Sequence, residues 1–553
     1  MKKTTVALII ILCINLFLSV YGINWGLPNR WCVDEQVANT LRLISSKSIF
    51  TVVDIGHPTF YNLILAIFIL PYLLFLKIIG YNFSLVQSAA SVSWIKLTEV
   101  DPGFATNVYI LSRLLSALLN LASILMVYKI GRLIYKAKEI PLISALILAV
   151  SMGFIETGHF AKSTSLVIFL LLLVNFYVFK GLSENFKKNF YIASFLSGLA
   201  ITTKFDGGLA IIYLAIGFII YLWKNKIKLN YFSFLSICLF LFSLGFIIGW
   251  SSIFVNFDKY RIIEEKAIYI PDFNWQLLSI ILERTVEYFI HIICMFGPPL
   301  SIFIFAGIIY EVYTWKKNMP YFLIFISMLL PYFIIALVFF TRYPGAYTKF
   351  VIHSLPIFSL WGGAFIYNFI RSGFVSRRLK FLCIAFTFVF SIIYVLRADA
   401  VFTKYDTRYI SSKWILANIS TQATIEHFQE VDLLFSAAIL RTHHIIFNGR
   451  DSQDYKNKNF YKFDNPDIVN KYREKLNSEG TKSDYLVVAM GKDFLSSSYL
   501  QTEKDKQIFF YRLVDGKVRN YKLIKRLEFK ESLLWNPRPA YTAPIICIYK
   551  RVL

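Results

Sequence analysis

Two adjacent carboxylates, Asp34 and Glu35, follow the first long apolar run of the 553-residue chain. Such a pair close to a bilayer has the chemistry of a general base or of a ligand for a divalent cation. The same pair is also typical of the first turn of an amphipathic helix, where the helix dipole favours acidic side chains. The two residues are therefore a candidate catalytic site with a structural alternative.

Further ionisable side chains stand between later apolar runs. His57 precedes Pro58, a residue that the first turn of a helix also accepts. Glu156, His159 and Lys162 lie close together, and charged groups in such a place are costly unless they face water or a cavity. Lys162 is equally explained as a lysine that reaches for the interface. We treat all four ionisable groups as candidate supporting residues.

Three cations border later runs: Lys204, Arg342 and Lys349. Cations at a lipid boundary are what an anionic phosphate or pyrophosphate headgroup needs for charge-assisted hydrogen bonds. A surface pair between Lys204 and Asp206 is the alternative. His353, inside an apolar run, is treated as a packing residue and is assigned no role.

Composition excludes several classes of function. The chain is 57% hydrophobic and only 17% charged, which is typical of a protein dissolved mostly in lipid. Its net charge of +24 is spread in short clusters between apolar runs, so nucleic-acid binding is not expected. The six cysteines show no pairing suited to zinc, and no nucleotide-binding glycine motif is present. No cofactor is predicted as obligatory; Asp34 and Glu156 are candidate ligands for a divalent metal, and no metal site is assigned.

The chemistry must be positioned by membrane helices. Eleven apolar runs are long enough to cross about 30 Å of hydrocarbon, and we predict that the first is retained rather than cleaved. The predicted spans begin near Thr5, Phe104, Ile140, Thr164, Asn189, Gly207, Tyr231, Val286, Tyr321, Thr348 and Leu379.

A twelfth apolar run, residues 57–80, decides the orientation. If it does not cross, all the basic loops lie in the cytoplasm with the N-terminus, as the positive-inside rule requires. We therefore predict a helix lying in the outer interface, within an outer loop formed by residues 23–103. Residues 400–553 carry no span, and we predict for them a separate extracytoplasmic α/β domain with a helix at 407–418, a helix at 466–476, and strands at 485–489 and 545–549.

The order of several short motifs resembles the GT-C superfamily, within it the branch of dolichyl-phosphate-mannose protein mannosyltransferases and aminoarabinose transferases. The motifs are Asp-Glu at 34–35, His-Pro-Thr-Phe-Tyr at 57–61, His-Phe-Ala-Lys-Ser-Thr at 159–164, Gly-Leu-Ala-Ile-Thr-Thr-Lys-Phe-Asp-Gly at 198–207, and Asp-Thr-Arg-Tyr at 406–409. Residues 198–207 are close to the family's Gly-Leu-Ala-x-x-Thr-Lys-Tyr-x-Gly. Residues 349–356 match its Arg-Tyr-Leu-Leu-Pro-x-x-Pro loosely, and Thr164 stands where the family has an acid.

The resemblance implies a GT-C fold over residues 1–399 and transfer of a sugar from a polyprenyl-phosphate carrier to a hydroxyl acceptor outside the cell membrane. Asp34 would be the general base, and Glu35 would position it or support the acceptor. Lys204 and Arg342, with Lys349, would neutralise the leaving phosphate. The alternative is a transporter or flippase of a lipid-linked or anionic solute, which would place ionisable groups near mid-membrane. Neither the sugar nor the acceptor follows from the sequence.

Overall fold

The computed structural model describes residues 3–27, 35–46, 58–83, 101–225, 231–254, 275–315, 319–340, 351–373, 375–429, 444–447, 450–451, 483–490, 521–528 and 545–552. Helices dominate these residues. In chain order they are α1 (Lys3–Val20), α2 (Val37–Ser46), α3 (Phe60–Ile78), α4 (Pro102–Ile134), α5 (Glu139–Ala149), α6 (Met152–Gly158), α7 (Ser163–Ser183), α8 (Phe186–Ile201), α9 (Ala210–Asn225), α10 (Tyr231–Gly249), α11 (Trp275–Phe296), α12 (Pro298–Thr314), α13 (Met319–Phe340), α14 (Leu355–Arg371), α15 (Arg377–Ala400) and α16 (Thr407–Asn418).

The length and hydropathy of the helices indicate a membrane protein. Seven of the described helices are long and apolar enough to cross a membrane, or eight if the bent pair α5–α6 forms one span. Helix α12 is a shorter apolar helix. A described helix, or a pair of helices, lies at each of the predicted spans. The chain is therefore an integral, multi-pass membrane protein, as predicted.

Two predicted spans are not single straight helices. The run that begins near Ile140 bends by 63° between α5 and α6. The run that begins near Val286 lies in two helices, because α11 ends at Phe296 and α12 begins at Pro298. Gly297 between them has φ +79°, a conformation that glycine adopts at little cost. Hydropathy alone does not reveal either break.

Close packing of α8 against α10 supports the bundle next to the candidate site. A Cβ atom on Gly198 would lie 2.2 Å from the carbonyl oxygen of Phe242, and one on Gly245 would lie 2.3 Å from that of Phe195. Small residues let membrane helices approach closely enough for backbone contact, which replaces the hydrophobic driving force that lipid does not supply. These glycines therefore fix how far α8 stands from α10.

Contacts between helix termini gather several helix ends at one place. The Phe60 N–H at the start of α3 donates to the carbonyl of Thr202, just after α8, at 3.1 Å. The Gln36 N–H before α2 donates to the carbonyl of Ala161 before α7 at 3.0 Å. We call the end of the bundle formed by the last turns of α1, α8 and α10 and the first turns of α3 and α7 the site end.

Helix α3 packs along the first part of α4. Its Tyr61 hydroxyl lies 3.5 Å from that of Ser116, and the Tyr81 hydroxyl just after α3 donates to Asp101 just before α4. In the same stretch of α4, Arg113 bonds carbonyls that lie beyond the end of α1. Length and apolarity alone would let α3 cross a membrane, but its contacts place it against the part of α4 that lies past α1.

The C-terminal part begins where α15 ends at Ala400, followed by one wide helical turn at Val401–Tyr405 and by α16. Its strands are β1 (Thr424–Gln429), β2 (His444–Phe447), β3 (Arg450–Asp451), β4 (Tyr485–Met490), β5 (Tyr521–Leu527) and β6 (Ile545–Arg551). They form one sheet in the order β3-β2-β1-β4-β6-β5. Strand β1 is parallel to β2 and β4, and β6 is antiparallel to β4 and β5.

The predicted α/β character of this part is confirmed. Helix α16 matches the predicted helix at 407–418, and β4 and β6 cover the two predicted strands. Ile415 of α16 is fully buried and packs on the sheet with Ile425 and Ile548. The helix predicted at 466–476 lies outside the described residues.

Candidate functional site

Glu35 makes a fully buried ion pair with Arg113 of α4. The guanidinium donates from Nε and Nη2 to the two carboxylate oxygens at 2.7 and 2.9 Å, and neither side chain is exposed. The Ala161 N–H donates to the same carboxylate at 2.9 Å. Glu35 therefore joins the segment before α2 to α4 and to the turn before α7.

Arg113 also bonds the chain on the other side of the candidate base. Its Nη1 donates to the carbonyls of Ile23 and Trp25, each at 2.7 Å. Residues 28–34, which contain Asp34, lie outside the described residues, but the positions on both sides of them are bonded to Arg113. One guanidinium thus acts as a clamp on the two ends of the segment that carries Asp34.

Sequence reasoning assigned Glu35 a positioning or acceptor-supporting role and missed Arg113. The bidentate pair occupies both oxygens of Glu35, which favours the positioning role. A signal for Arg113 was present: an arginine inside an apolar helix is rare and faces a polar partner or a cavity. The predicted site residues stand at the ends of apolar runs, whereas Arg113 lies in the interior of α4.

The predicted supporting residues lie beside this clamp. His159 is 1% exposed, its Nε2 lies 2.8 Å from the Tyr21 carbonyl, and its ring stacks on Phe402 with centroids 4.4 Å apart. Asp399 of α15, which sequence reasoning did not consider, approaches His159 Nε2 to 4.0 Å. Glu156 is buried one turn before His159. His159 thereby ties the end of α1 to the start of the C-terminal part.

The structure describes Lys162 but not His57. The Lys162 ammonium lies 4.8 Å from the centre of the Phe160 ring, a cation–π contact beside the Ala161 turn. His57 lies outside the described residues, as do Arg342 and Lys349, so their predicted roles stay predictions. The described part of the chain contains no group of three His, Cys, Asp or Glu side chains that could hold a metal ion.

Lys204 lies at the site end in the turn after α8. Its ammonium is 2.9 Å from an Asp206 carboxylate oxygen, so the Lys204–Asp206 pair is formed, but it is mostly buried and not the surface pair of the alternative. The same oxygen is 3.3 Å from His353 Nε2, a residue for which no role was predicted. The Lys204 side chain remains 20% exposed, compared with 6% for Asp206 and 0% for His353. The lysine is thus the accessible member of the cluster.

Helices α2 and α3 connect the acidic and cationic parts of the site. The Thr40 hydroxyl of α2 donates to the Asn62 side chain of α3 at 2.9 Å. The neighbouring Phe60 bonds the Thr202 carbonyl two residues before Lys204. The clamp around Glu35 and the cluster around Lys204 are therefore held at the same end of the bundle by a short series of hydrogen bonds.

A hydrogen bond between Tyr81 and Asp101 joins α3 and α4 at the end of this helix pair that is distant from the site end. Asp101 accepts from the Phe104 N–H at 2.8 Å and caps α4, and it also accepts from the Tyr81 hydroxyl. Burial and the nearby Asp101 carboxylate raise the pKa of Tyr81 well above its ordinary value. The phenol therefore stays protonated at physiological pH and keeps its donor role.

The C-terminal part reaches the clamp through Trp25. Asp406 caps α16 and accepts from Nε and Nη2 of Arg408 at 2.9 Å each, and the Trp25 indole N–H donates to Asp406 at 3.3 Å. The Arg408 guanidinium also lies 5.0 Å from the centre of the Trp25 ring. Since Arg113 bonds the Trp25 carbonyl, α16 supports the same segment as the clamp.

Replacing Arg408 with lysine is expected to lower the rate of the sugar transfer that the family resemblance predicts. Lysine keeps the charge but cannot both fork onto Asp406 and stack on Trp25, so Trp25 loses its support. Hydrogen bonds to charged groups contribute about 1.5–3 kcal/mol, and we expect a loss on the order of tenfold in initial rate. The matched control is Arg526→Lys, whose exposed pair with Glu528 at 3.0 Å has the same sequence spacing. Equal rates in the two variants would contradict a role for α16.

Part of the chain matches a known protein family. Residues 107–248, from the second turn of α4 to the end of α10, match the family model described as dolichyl-phosphate-mannose-protein mannosyltransferase. The matched segment contains Arg113, His159 and Lys204. The match confirms the resemblance predicted from the motifs, and it gives the transporter alternative no support. Among curated proteins, none matches the chain.

Solved structures show similarity over most of the chain. The apo form of the Archaeoglobus fulgidus oligosaccharyltransferase has 13% identity and a TM-score of 0.46, covering 88% of this chain and 70% of that one. ArnT from Cupriavidus metallidurans bound to undecaprenyl phosphate has 10% identity and a TM-score of 0.48, covering 98% of this chain and 97% of that one.

Proposed function

We propose that this protein is a membrane glycosyltransferase that transfers a sugar from a polyprenyl-phosphate carrier to a hydroxyl acceptor. The family match over residues 107–248 carries the proposal. The arrangement of the site end supports it, because the segments on both sides of Asp34 and the turn with Lys204 meet there. The sugar is a hexose or a pentose, and the acceptor is a hydroxyl of a protein, a lipid or a glycan.

The roles follow from what each group offers. Asp34 is the general base that takes the proton of the acceptor hydroxyl as it attacks the anomeric carbon, with inversion. Glu35 positions Asp34 through the clamp with Arg113. Lys204, with Arg342 and Lys349, stabilises the negative charge that develops on the leaving phosphate. His57, Glu156, His159 and Lys162 support the outer ends of the helices around this site.

We propose that the site end faces the outside of the plasma membrane and that the N-terminus is cytoplasmic. Helix α3 then lies in the outer interface, since its exposed face carries Ile67, Leu74, Phe75 and Ile78. Residues 1–399 form the catalytic membrane domain, and residues 400–553 form an extracytoplasmic domain. The donor enters between helices with its polyprenyl chain in lipid, and no nucleic acid takes part.

The experiment that tests the function uses the purified protein in vesicles. A panel of polyprenyl phosphates carrying radiolabelled hexoses and pentoses is offered with a membrane extract as the source of acceptors. We expect label from one class of donor to leave the lipid and to appear in an acceptor. Label that stays on the lipid for every donor, or that only crosses the bilayer, would contradict the proposal.

Removal of divalent metal is expected to leave the transfer rate unchanged. Arg113 and the Ala161 N–H already bind the two carboxylate oxygens of Glu35, which leaves only Asp34 and Glu156 as candidate ligands for a cation. Initial rates are measured with and without a chelator such as EDTA. A loss of activity that added Mn²⁺ or Mg²⁺ reverses would assign Asp34 to a metal site.

A further inference from the structure

Two ionisable groups, Lys204 and His353, approach the same carboxylate oxygen of Asp206 at the site end. The Asp206 Oδ2 atom lies 2.9 Å from Lys204 Nζ and 3.3 Å from His353 Nε2. The proposed function uses only the lysine. Asp206 and His353 are almost completely buried, and buried ionisable groups are costly unless they are paired. Their presence beside a predicted phosphate-binding lysine calls for an explanation.

The three residues come from two distant segments of the chain. Lys204 and Asp206 lie in the turn between α8 and α9, and His353 lies just before α14. The turn is held tightly, because a Cβ atom on Gly207 would lie 2.2 Å from the Ala200 carbonyl oxygen. The other segment is held by Ser354, whose hydroxyl lies 3.1 Å from that of Tyr288. Asp206 and His353 are therefore both fixed in place.

Two of these residues are not part of the motifs that the chain shares with its family. In the pattern Thr-Lys-Tyr-x-Gly, the position of Asp206 is open. In the pattern Arg-Tyr-Leu-Leu-Pro-x-x-Pro, the position of His353 is the first proline. The contact between Asp206 and His353 thus links two motif segments through residues that the motifs do not prescribe.

The charges of the cluster decide what Lys204 can do. Asp206 neutralises the ammonium, so an incoming phosphate must compete with the carboxylate for it. The His353 ring nitrogen, 3.3 Å from Oδ2, gives the carboxylate a second electrostatic partner and weakens its hold on the lysine. Without that contact, Lys204 would be the main counter-charge for a nearly buried anion, and the pair would tighten.

We propose that His353 is a positioning residue for donor binding, which holds Asp206 so that Lys204 can turn from the carboxylate to the phosphate of the lipid-linked donor. The inference rests on the proposed function and names one further part of its phosphate site. His353 does not touch the donor; it acts through Asp206. The ligand of the Lys204 site is a phosphate monoester or diester on a polyprenyl chain.

Binding of the carrier phosphate is the direct test. The probe is radiolabelled polyprenyl phosphate, offered to the protein in nanodiscs of phosphatidylcholine. We expect His353→Leu to weaken binding on the order of tenfold, His353→Gln to retain most of it through its amide N–H, and Asp206→Asn to strengthen it. The matched control is Glu184→Gln, which removes the acid of the exposed Lys180–Glu184 pair at the other end of α7.

A double variant separates positioning from mere packing. If His353 acts through Asp206, His353→Leu has no further effect on binding in the Asp206→Asn background. An equal loss in both backgrounds would overturn the proposal. If His353→Leu does not fold, Asp206→Asn carries the test alone, and binding that is unchanged or weaker in that variant would overturn it.

Kinetics distinguish this inference from the proposed function. Where a donor supports transfer, His353→Leu raises KM for the donor and leaves kcat within about twofold, because the residue acts on binding. If no donor supports transfer but binding depends on His353 as described, the proposed function fails and the phosphate site stands. If transfer depends on Asp34 while binding and KM ignore His353 and Asp206, the inference fails and the function stands.

Discussion

Replacing Asp34 with asparagine is expected to lower sugar transfer by about 10²- to 10⁴-fold, the usual contribution of a positioned general base. Asparagine is nearly the same size but cannot take the acceptor proton. Folding is expected to survive, because the substitution leaves in place the buried contacts of Glu35 and Trp25 on the two sides of the segment. The measurement is the initial rate of label transfer by the purified variant beside the wild type.

Asp101→Asn provides the matched control for this substitution. It changes an acid of the same predicted outer loop, at the cap of α4, where asparagine caps a helix about as well as aspartate. We expect the control to transfer sugar at close to the wild-type rate. Wild-type transfer by Asp34→Asn would remove Asp34 from the mechanism and leave the acidic pair as part of the clamp.

Breaking the clamp has the second large effect. Arg113→Leu leaves the Glu35 carboxylate buried without its counter-charge, and loss of one partner of a buried pair costs about 3–5 kcal/mol. We expect this variant to unfold at a much lower temperature or to be lost during purification. Thermal unfolding in detergent measures the effect on stability.

The double variant Glu35→Leu with Arg113→Leu tells stability from positioning. Replacing both members of a buried ion pair by apolar residues is often neutral for stability, so we expect much of the unfolding temperature to return. Transfer is expected to stay low, because the double variant lacks the guanidinium that bonds the Ile23 and Trp25 carbonyls. A double variant that regains both stability and wild-type transfer would show that the clamp serves folding alone.

Hydropathy predicted the helices of the membrane part because long apolar runs are the strongest signal that a sequence carries. Hydropathy could not predict the break at Gly297, since the apolar run continues on both sides, whereas Pro298 and Pro299 directly after the glycine are a local breaker signal. The bend between α5 and α6 has the same origin: Val150 and Ser151 interrupt a helix without interrupting the apolar run.

The candidate site could be predicted only in part from local patterns. Glu35, His159 and Lys204 were found because they stand at the ends of apolar runs. Arg113 lies 78 positions from Glu35, and His353 lies far from Asp206 along the chain. No spacing rule connects such pairs. Their partners depend on how the helices pack, which becomes visible only in the fold.

The C-terminal part shows the same limit. Its helix and two of its strands followed from short apolar patterns, and the Asp-Thr-Arg-Tyr motif marked its start. The function of that motif did not follow, because Asp406 and Arg408 meet Trp25 from the other end of the chain. In the fold, the motif contacts Trp25 and thereby supports the segment that carries Asp34.

The most direct measurement counts both products of the proposed reaction. With the donor that the panel identifies, the polyprenyl phosphate released and the sugar transferred are quantified together in sealed vesicles, for the wild type and for Asp34→Asn. The account predicts one polyprenyl phosphate for each sugar transferred by the wild type, and both products reduced together in the variant. Donor that crosses the bilayer intact, with neither product formed by either protein, would contradict it.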